Sequence, residues 1–182
     1  MQSIRLVSLE KDAATVRRLL RLYRRSYRQP LVSHGPVGLL QYVRALDRRD
    51  WSISFQELWA ALEFLPMTQK DPYSVTIRRA ATVSGNPKIP RFVLSHLRDV
   101  RNGMVHSFQG RPDMEMLVYQ TKNYVEWLLA FFLYNPFRLT SLDESRQFLD
   151  LPDEIGILKG RARPLRISTV YRTGKPPGAA LT

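Results

Sequence analysis

One long apolar stretch, residues 113–134, constrains the fold of this chain more than any other feature. Met, Leu, Tyr, Phe and Trp side chains recur on every side of it, and Asn135-Pro136 ends it. A helix that is apolar all round cannot lie free on a protein surface. It must either form the centre of a helical bundle or bury part of its surface against a second subunit.

Helical spacing of apolar residues predicts six further helices, separated by prolines and glycines. The predicted segments are residues 12–27, 37–47, 54–65, 74–83 and 90–107, with one more short helix after Ser141. The helix at 54–65 has the clearest start, because Ser54 and Glu57 match a capping box in which the Glu57 side chain reaches back to the Ser54 amide. His34 is expected to be an exposed residue of a loop.

These patterns predict an all-α protein, an up-and-down bundle of about four to six helices with an irregular basic N-terminal extension and a C-terminal tail. Residues 1–50 are expected to form a basic helical segment that packs on the bundle. Residues 51–150 form the helical domain, and residues 151–182 form a basic, partly disordered tail. Within that tail, residues 165–170 alternate weakly enough to be a strand or a loop.

The composition is that of a soluble globular domain. The chain has 182 residues, 44% of them hydrophobic, which is enough to bury a core. No apolar run reaches the roughly 18 residues that span a bilayer, and the amino terminus lacks the apolar region of a signal peptide. We therefore expect a cytoplasmic protein without membrane contact. The absence of cysteine and the three scattered histidines predict no metal site. We expect no cofactor.

Positive charge is concentrated at the two ends of the chain. There are 28 Lys and Arg residues against 16 Asp and Glu, a net charge of +12. Residues 1–50 hold 11 basic and 4 acidic residues, whereas residues 51–150 hold 11 and 10. Such ends attract a polyanion such as RNA, although a basic surface that only aids solubility would look the same. The candidate nucleic-acid-binding residues are Arg24, Arg25, Arg78, Arg79, Lys88 and Arg98.

Residues 98–107 carry the side chains best suited to chemistry. Arg101 offers a planar cation that fits a phosphate, Asn102 an amide, and His106 an imidazole that titrates near neutral pH. On a helix Asn102 and His106 share one face, and Arg101 lies roughly 140° round from His106, within swinging reach of its long side chain. Together they suit phosphodiester chemistry. The same residues would also be ordinary at the end of a helix, where Asn and His are common.

The pattern of Arg101-Asn102, three further residues and His106, followed by the small residue Ser107, resembles the signature of the HEPN superfamily. Many members carry glycine where this chain has Ser107. The surroundings fit as well: an aromatic and acidic helix at 55–64, a basic connection, the motif helix and a long apolar helix. The resemblance covers roughly residues 50–135 and looks like the ApeA-type branch, which is associated with anti-phage defence.

This resemblance implies a HEPN-like bundle that dimerises through its motif helices, and a metal-independent endoribonuclease whose composite site is shared by two subunits. Arg101 would hold the scissile phosphate, and His106 would move protons at the 2′-hydroxyl or the leaving 5′-oxygen. Asn102 would orient His106 or donate a hydrogen bond to a phosphate oxygen. Products would end in a 2′,3′-cyclic phosphate. Glu57 is the candidate carboxylate for orienting His106 or restraining Arg101. Asp99 either does the same or pairs with a neighbouring arginine.

Two other functions remain compatible with the sequence. A HEPN-like domain that has lost catalysis would bind RNA or a partner protein, and Ser107 in place of glycine leaves that open. A toxin-like effector would be held silent by an antitoxin or a regulatory partner domain. A ribonuclease assay separates the first alternative from an enzyme, and growth arrest on expression would indicate the second.

Overall fold

The computed structural model describes residues 33–106 and 112–173, and all regular structure in these ranges is helical. Seven helices follow one another there: α1 His34–Leu46, α2 Trp51–Phe64, α3 Tyr73–Thr82, α4 Lys88–His106, α5 Met114–Tyr134, α6 Leu142–Leu149 and α7 Ile155–Thr173. The predicted all-α class is therefore confirmed. The predicted helix at 12–27 and the end of the tail, residues 174–182, lie outside the described residues.

Helix α5 lies at the centre of the bundle, which is one of the two arrangements that its composition predicted. It packs against α1, α2, α3 and α4. Leu117, Val125 and Leu128 of α5 are completely buried, so truncating one of these leucines to alanine should cost about 2–5 kcal/mol. Met116 and Tyr119 remain more than half exposed on its other side. Within the described ranges no helix, α5 included, combines the length and apolarity that a membrane span needs.

Helix α1 begins at His34, three residues earlier than predicted, and packs on α2 and α5. Pro36 is tolerated there because the amides of a first helical turn need no helical partner. Gly38 lets the helices approach closely, since a Cβ at this position would lie 2.3 Å from Leu65 Cδ2. His34, the first residue of α1, is buried in this contact between helices. Its Nε2 donates a hydrogen bond to the Leu65 carbonyl at 2.8 Å. The expectation of an exposed loop histidine was wrong.

Helix α2 begins at Trp51, before the capping box predicted at Ser54 and Glu57. Asp50 caps the helix instead, and its carboxylate accepts hydrogen bonds from two backbone amides of the first turn at 2.7 and 3.2 Å. A carboxylate at this place also interacts favourably with the positive end of the helix dipole. Ser54 lies inside the helix and is buried. Its predicted cap with Glu57 is therefore not formed.

Helices α3 and α4 lie within two residues of their predicted bounds and are joined by residues 83–87. The connection turns at Gly85, whose φ of +75° favours glycine. Since the first residue of α3, Tyr73, contacts Arg101 near the end of α4, the two helices run antiparallel. This pairing brings the start of α3 beside the motif.

Residues 150–173 are the described part of a second compact unit and contain α7. None of the α7 residues is buried. The strand or loop predicted at 165–170 was wrong, because these residues are helical. The hydroxyls of Thr169 and Thr173 donate to the carbonyls of Leu165 and Thr169, at 2.9 and 2.7 Å. In this way the threonines satisfy their polar groups within the helix.

Candidate nucleic-acid site at the end of helix α4

The carboxyl-terminal turns of α4 carry the motif residues. Arg101 is partly buried, and its guanidinium carbon lies over the ring of Tyr73, 5.4 Å from the ring centroid. A cation in this position is stabilised by about 0.5–1 kcal/mol. Asn102, the next residue, is also partly exposed. The structure thus holds one cationic and one amide side chain together at the surface.

Two side chains of α2 support this arrangement from behind. Trp59 is 1% exposed, and its ring meets the Tyr73 ring edge-on with the centroids 6.0 Å apart. The Trp59 indole Nε1 donates a hydrogen bond to the Glu63 carboxylate at 3.0 Å. Trp59 therefore fixes Tyr73 against the core, and Tyr73 in turn positions Arg101.

Sequence reasoning missed Tyr73, Trp59 and Glu63 as supports of the site. They lie on different helices from the motif, so no spacing along the chain connects them with Arg101. The short connection predicted between α3 and α4 was the available signal. Two helices joined by a few residues usually run antiparallel, which places the start of the first beside the end of the second.

The Glu57 carboxylate is bound by Arg48 rather than by Arg101. Its Oε1 atom lies 2.6 Å from Arg48 Nη2 and 2.8 Å from Arg48 Nε. The hydrogen bond and the charge of Glu57 raise the pKa of Arg48. On α2, Glu57 is rotated about 160° from Trp59, which faces Tyr73. The sequence had suggested that Glu57 faces the motif. The structure places its carboxylate against Arg48 instead.

Asp99 pairs with Arg98, which confirms the expectation of a neighbouring arginine as its partner. Arg98 Nη2 and Nε lie 2.7 and 2.9 Å from Asp99 Oδ1. Arg101 differs from Arg98, because within the described ranges no carboxylate forms an ion pair with it. Arg101 is thus the cation of α4 most available to a phosphate near the motif.

The outer face of α4 is formed by exposed residues at helical spacing. These are Ile89, Phe92, His96, Asp99 and Gly103. Position 106 continues the spacing and is the last residue of α4, but the His106 side chain lies outside the described part of the structure. Arg101 is turned toward α3 and Tyr73, so it does not swing toward the face of position 106. Within one subunit the structure therefore does not bring the Arg101 side chain to the face of position 106.

Arg79, one of the predicted phosphate-binding residues, is buried and stabilises a turn of the bundle. It is 5% exposed and donates hydrogen bonds to the carbonyls of Pro66 at 3.0 Å and Met67 at 3.3 Å. Arg79 Nη1 also lies 3.8 Å from Asp71 Oδ2. These contacts hold the turn between α2 and α3. A buried arginine of this kind does not suit the phosphate contact that we expected.

The other predicted phosphate-binding residues differ in exposure. Lys88 is exposed at the start of α4, and Arg78 and Arg98 are partly exposed. Arg24 and Arg25 lie outside the described residues, as does Ser107. The described cations therefore remain candidates for RNA contact at different points along α3 and α4.

A groove of about 740 Å³ lies at the other end of α3, and its apolar walls include Trp127, Tyr134 and Phe137. It is lined by no acidic or basic side chain, so it offers no carboxylate and no cation to a ligand. Among the described residues no three His, Asp or Glu side chains form a group that would hold a metal ion.

No protein-family model matches this chain, and neither the curated proteins nor the solved structures include a significant match. The assignment of a function therefore depends on the residues at the end of α4 and on the resemblance of their pattern.

Proposed function

We propose that the protein is a metal-independent endoribonuclease of HEPN type, acting in anti-phage defence or in a toxin-like system. The observation that carries this proposal is the state of Arg101. Its guanidinium is partly exposed, is held by Tyr73 and is paired with no carboxylate of the described residues. It stands next to Asn102 and five residues before His106, which is the spacing of the motif.

In the proposed reaction the ribose 2′-oxygen attacks the adjacent phosphorus, and the bond from phosphorus to the 5′-oxygen breaks. One His106 imidazole takes the proton of the 2′-hydroxyl, and a second His106, from another copy of the chain, gives a proton to the leaving 5′-oxygen. Arg101 stabilises the negative charge that grows on the phosphate oxygens. The products are a 2′,3′-cyclic phosphate and a 5′-hydroxyl, and only RNA has the required nucleophile.

The outer face of α4 supports the homodimer that this mechanism needs. Ile89 is 71% exposed and Phe92 is 79% exposed, which is unusual for such large apolar side chains. Further along, a Cβ added at Gly103 would meet nothing within 4 Å. An apolar patch of this kind would accommodate a second α4, with position 106 at the contact. Arg101 is turned toward α3 and would meet the RNA strand at the edge of that contact.

Cleavage of a labelled RNA by the 182-residue chain, in the presence of EDTA, tests the proposal. His106→Ala and Arg101→Ala should each lower the rate by about 100-fold or more, as is typical for loss of an acid–base or charge-stabilising group. Arg146→Ala is the matched control, because it removes an exposed arginine from α6, which carries none of the proposed site residues. Undiminished cleavage by both motif variants, or complete loss of cleavage with EDTA, would contradict the proposal.

The alternative is a non-catalytic module that binds RNA or a partner protein. The exposed Ile89 and Phe92 support it as much as the homodimer, because an apolar patch fits a protein partner as well as a second copy. The wild-type chain would then bind RNA or a partner without cleaving RNA. A toxin-like enzyme would instead arrest growth on expression, and His106→Ala would relieve the arrest.

A further inference from the structure

Helix α7 differs from the other described helices in that it buries none of its residues. Each of the others contributes at least one residue to the hydrophobic core. The sequence of α7 also includes Gly156, Gly160 and Pro164. Relative to alanine, glycine and proline weaken a helix interior by about 1 and about 3 kcal/mol. A helix with weak propensity and no buried face is stabilised when a partner covers it.

The charged side chains of α7 are all positive. The helix has five cations and no Asp or Glu, and the nearest carboxylates, Asp153 and Glu154, precede its first residue. All five cations are exposed. Within residues 33–106 and 112–173, none of them forms an ion pair. They are Lys159, Arg161, Arg163, Arg166 and Arg172.

These cations form two rows along the helix. Lys159, Arg163 and Arg166 follow one another at intervals of four and three residues, so they share one side, which we call the first row. Arg161 and Arg172 are eleven residues apart, which is about three turns, and form the second row. At about 100° per residue the two rows lie roughly 160° apart. The rows exist because residues 165–170 are helical and not the strand or loop that the sequence suggested.

Exposed apolar side chains occupy both strips between the rows. Ile155 and Leu165 lie on one strip, and each is 66% exposed. Ile157, Ile167 and Tyr171 lie on the other strip, and Tyr171 is 89% exposed. A helix that lies on a membrane surface or in a groove of a protein presents one continuous apolar face. Because α7 has no such face, its surroundings must meet it from opposite sides.

A groove with phosphates along both walls meets the two basic rows in this way. The major groove of B-form DNA is about 12 Å wide and admits an α-helix, whose diameter with side chains is about 10–12 Å. The major groove of an A-form RNA duplex is deep and narrow by comparison. Contacts of Lys and Arg with phosphates carry no sequence information. The charge and shape of α7 therefore favour double-stranded DNA of any sequence.

We propose that α7 binds double-stranded DNA by lying in its major groove, with one basic row directed at the phosphates of each strand. The apolar side chains between the rows then contact base edges, including the methyl groups of thymine. None of the residues proposed for RNA contact or cleavage lies on α7. The inference does not depend on the ribonuclease activity, because DNA lacks the 2′-hydroxyl nucleophile of that reaction.

Fluorescence anisotropy of a short labelled DNA duplex, titrated with the 182-residue chain at several salt concentrations, tests the proposal. Each neutralised phosphate contributes about 0.9 to the slope of log affinity against log salt. Lys159→Gln with Arg163→Gln and Arg166→Gln should therefore lower the slope by about 2.7, and Arg161→Gln with Arg172→Gln should lower it by about 1.8. All five side chains are exposed, so the thermal unfolding of the helical bundle should not change.

Lys70→Gln with Arg146→Gln is the matched control for the second row, because it removes two exposed cations that lie outside α7. Its salt slope should stay close to that of the natural chain. An equal loss in the control and the second-row variant would show that only total charge matters, and would overturn the proposal. A loss confined to one row would overturn it as well, because DNA would then contact a single side of α7.

Competition for the labelled duplex distinguishes DNA from other polyanions. Unlabelled DNA duplex should displace the label at a concentration about tenfold lower than single-stranded DNA or an RNA duplex of the same sequence, because only B-form DNA has a groove of suitable width. Vesicles that contain phosphatidylserine should displace it no better than these two. Equal or stronger competition by single strands, RNA duplex or vesicles would contradict binding in the major groove of DNA.

Discussion

The Arg101 guanidinium lies over the ring of Tyr73, and this contact joins the end of α4 to the first residue of α3. Tyr73 is itself packed against the buried Trp59. The direction of the motif cation is therefore set by the core of the bundle and not by α4 alone. Tyr73 acts as a positioning residue, because it would reach the phosphate only through Arg101.

Replacing Tyr73 should affect RNA cleavage through the loss of this ring. Tyr73→Ala removes the surface that holds Arg101, and a loss of about 1 kcal/mol corresponds to about a fivefold lower kcat/KM. Tyr73→Phe keeps the ring and should stay within about twofold of the natural chain by the same energy scale. Steady-state cleavage of a labelled RNA measures both. Equal activity of the two variants would show that the ring does not position Arg101.

Two glycines should respond to alanine in opposite directions. Gly38→Ala places a Cβ against the fully buried Leu65 and should lower the free energy of unfolding by about 1–3 kcal/mol. Gly103→Ala meets open space on a helix and should raise it by about 0.5–1 kcal/mol. Urea denaturation of both variants measures the difference. A Gly103→Ala chain that is more stable but cannot cleave RNA would indicate close approach of a partner to the α4 backbone.

Arg79 and Lys88 should separate stability from RNA binding. Arg79→Met leaves the carbonyls of Pro66 and Met67 without this donor, which should cost about 1–3 kcal/mol of unfolding free energy. Lys88→Met changes an exposed side chain and should alter stability by less than about 0.5 kcal/mol. If Lys88 contacts a phosphate, its replacement lowers the slope of log affinity against log salt by about one. Thermal unfolding and RNA titration at several salt concentrations give both quantities.

The bounds of α3, α4 and α5 could be predicted because the signals that set them are local. Apolar spacing marks each of these helices, and Asn135 ends α5 in a left-handed conformation with φ of +41°. The starts of α1 and α2 depended on information from elsewhere. The close fit of Gly38 against Leu65 joins two helices, and the choice of Asp50 over Ser54 as the cap depends on which residue the core buries.

The sequence predicted those residues of the candidate site that lie on one helix, and it did not predict their contacts with other helices. The sequence places Arg101, Asn102 and His106 within two turns of α4. It does not show where the Arg101 side chain is directed, because Tyr73 belongs to another helix. The burial of Arg79 was hidden for the same reason, since its partners are carbonyls of a distant turn.

His34 should make the stability of the protein depend on pH. Its Nε2 donates to the Leu65 carbonyl, and its ring stacks on Phe64 with the centroids 4.4 Å apart. Burial lowers the pKa of His34 below its ordinary value of 6.5, although hydrogen bonds to the Leu65 and Phe64 carbonyls act in the opposite direction. Below pH 6.5 the unfolded chain therefore binds a proton more readily than the folded chain. The free energy of unfolding should fall as the pH drops from 6.5 through the lowered pKa of the folded state.

Urea denaturation at pH 7.5, 6.5 and 5.5 measures this dependence. His34→Gln cannot take up the proton, so this variant should lose the part of the slope between pH 6.5 and 5.5 that belongs to His34, even if its stability at pH 7.5 is lower. His96→Gln is the matched control, because it removes an exposed histidine of the same bundle and leaves the buried His34 in place. If the slope of unfolding free energy against pH is the same in His34→Gln as in the natural chain, the proton is taken up by another group. Burial of His34 then contributes nothing to the acid sensitivity of the protein, which would contradict the prediction.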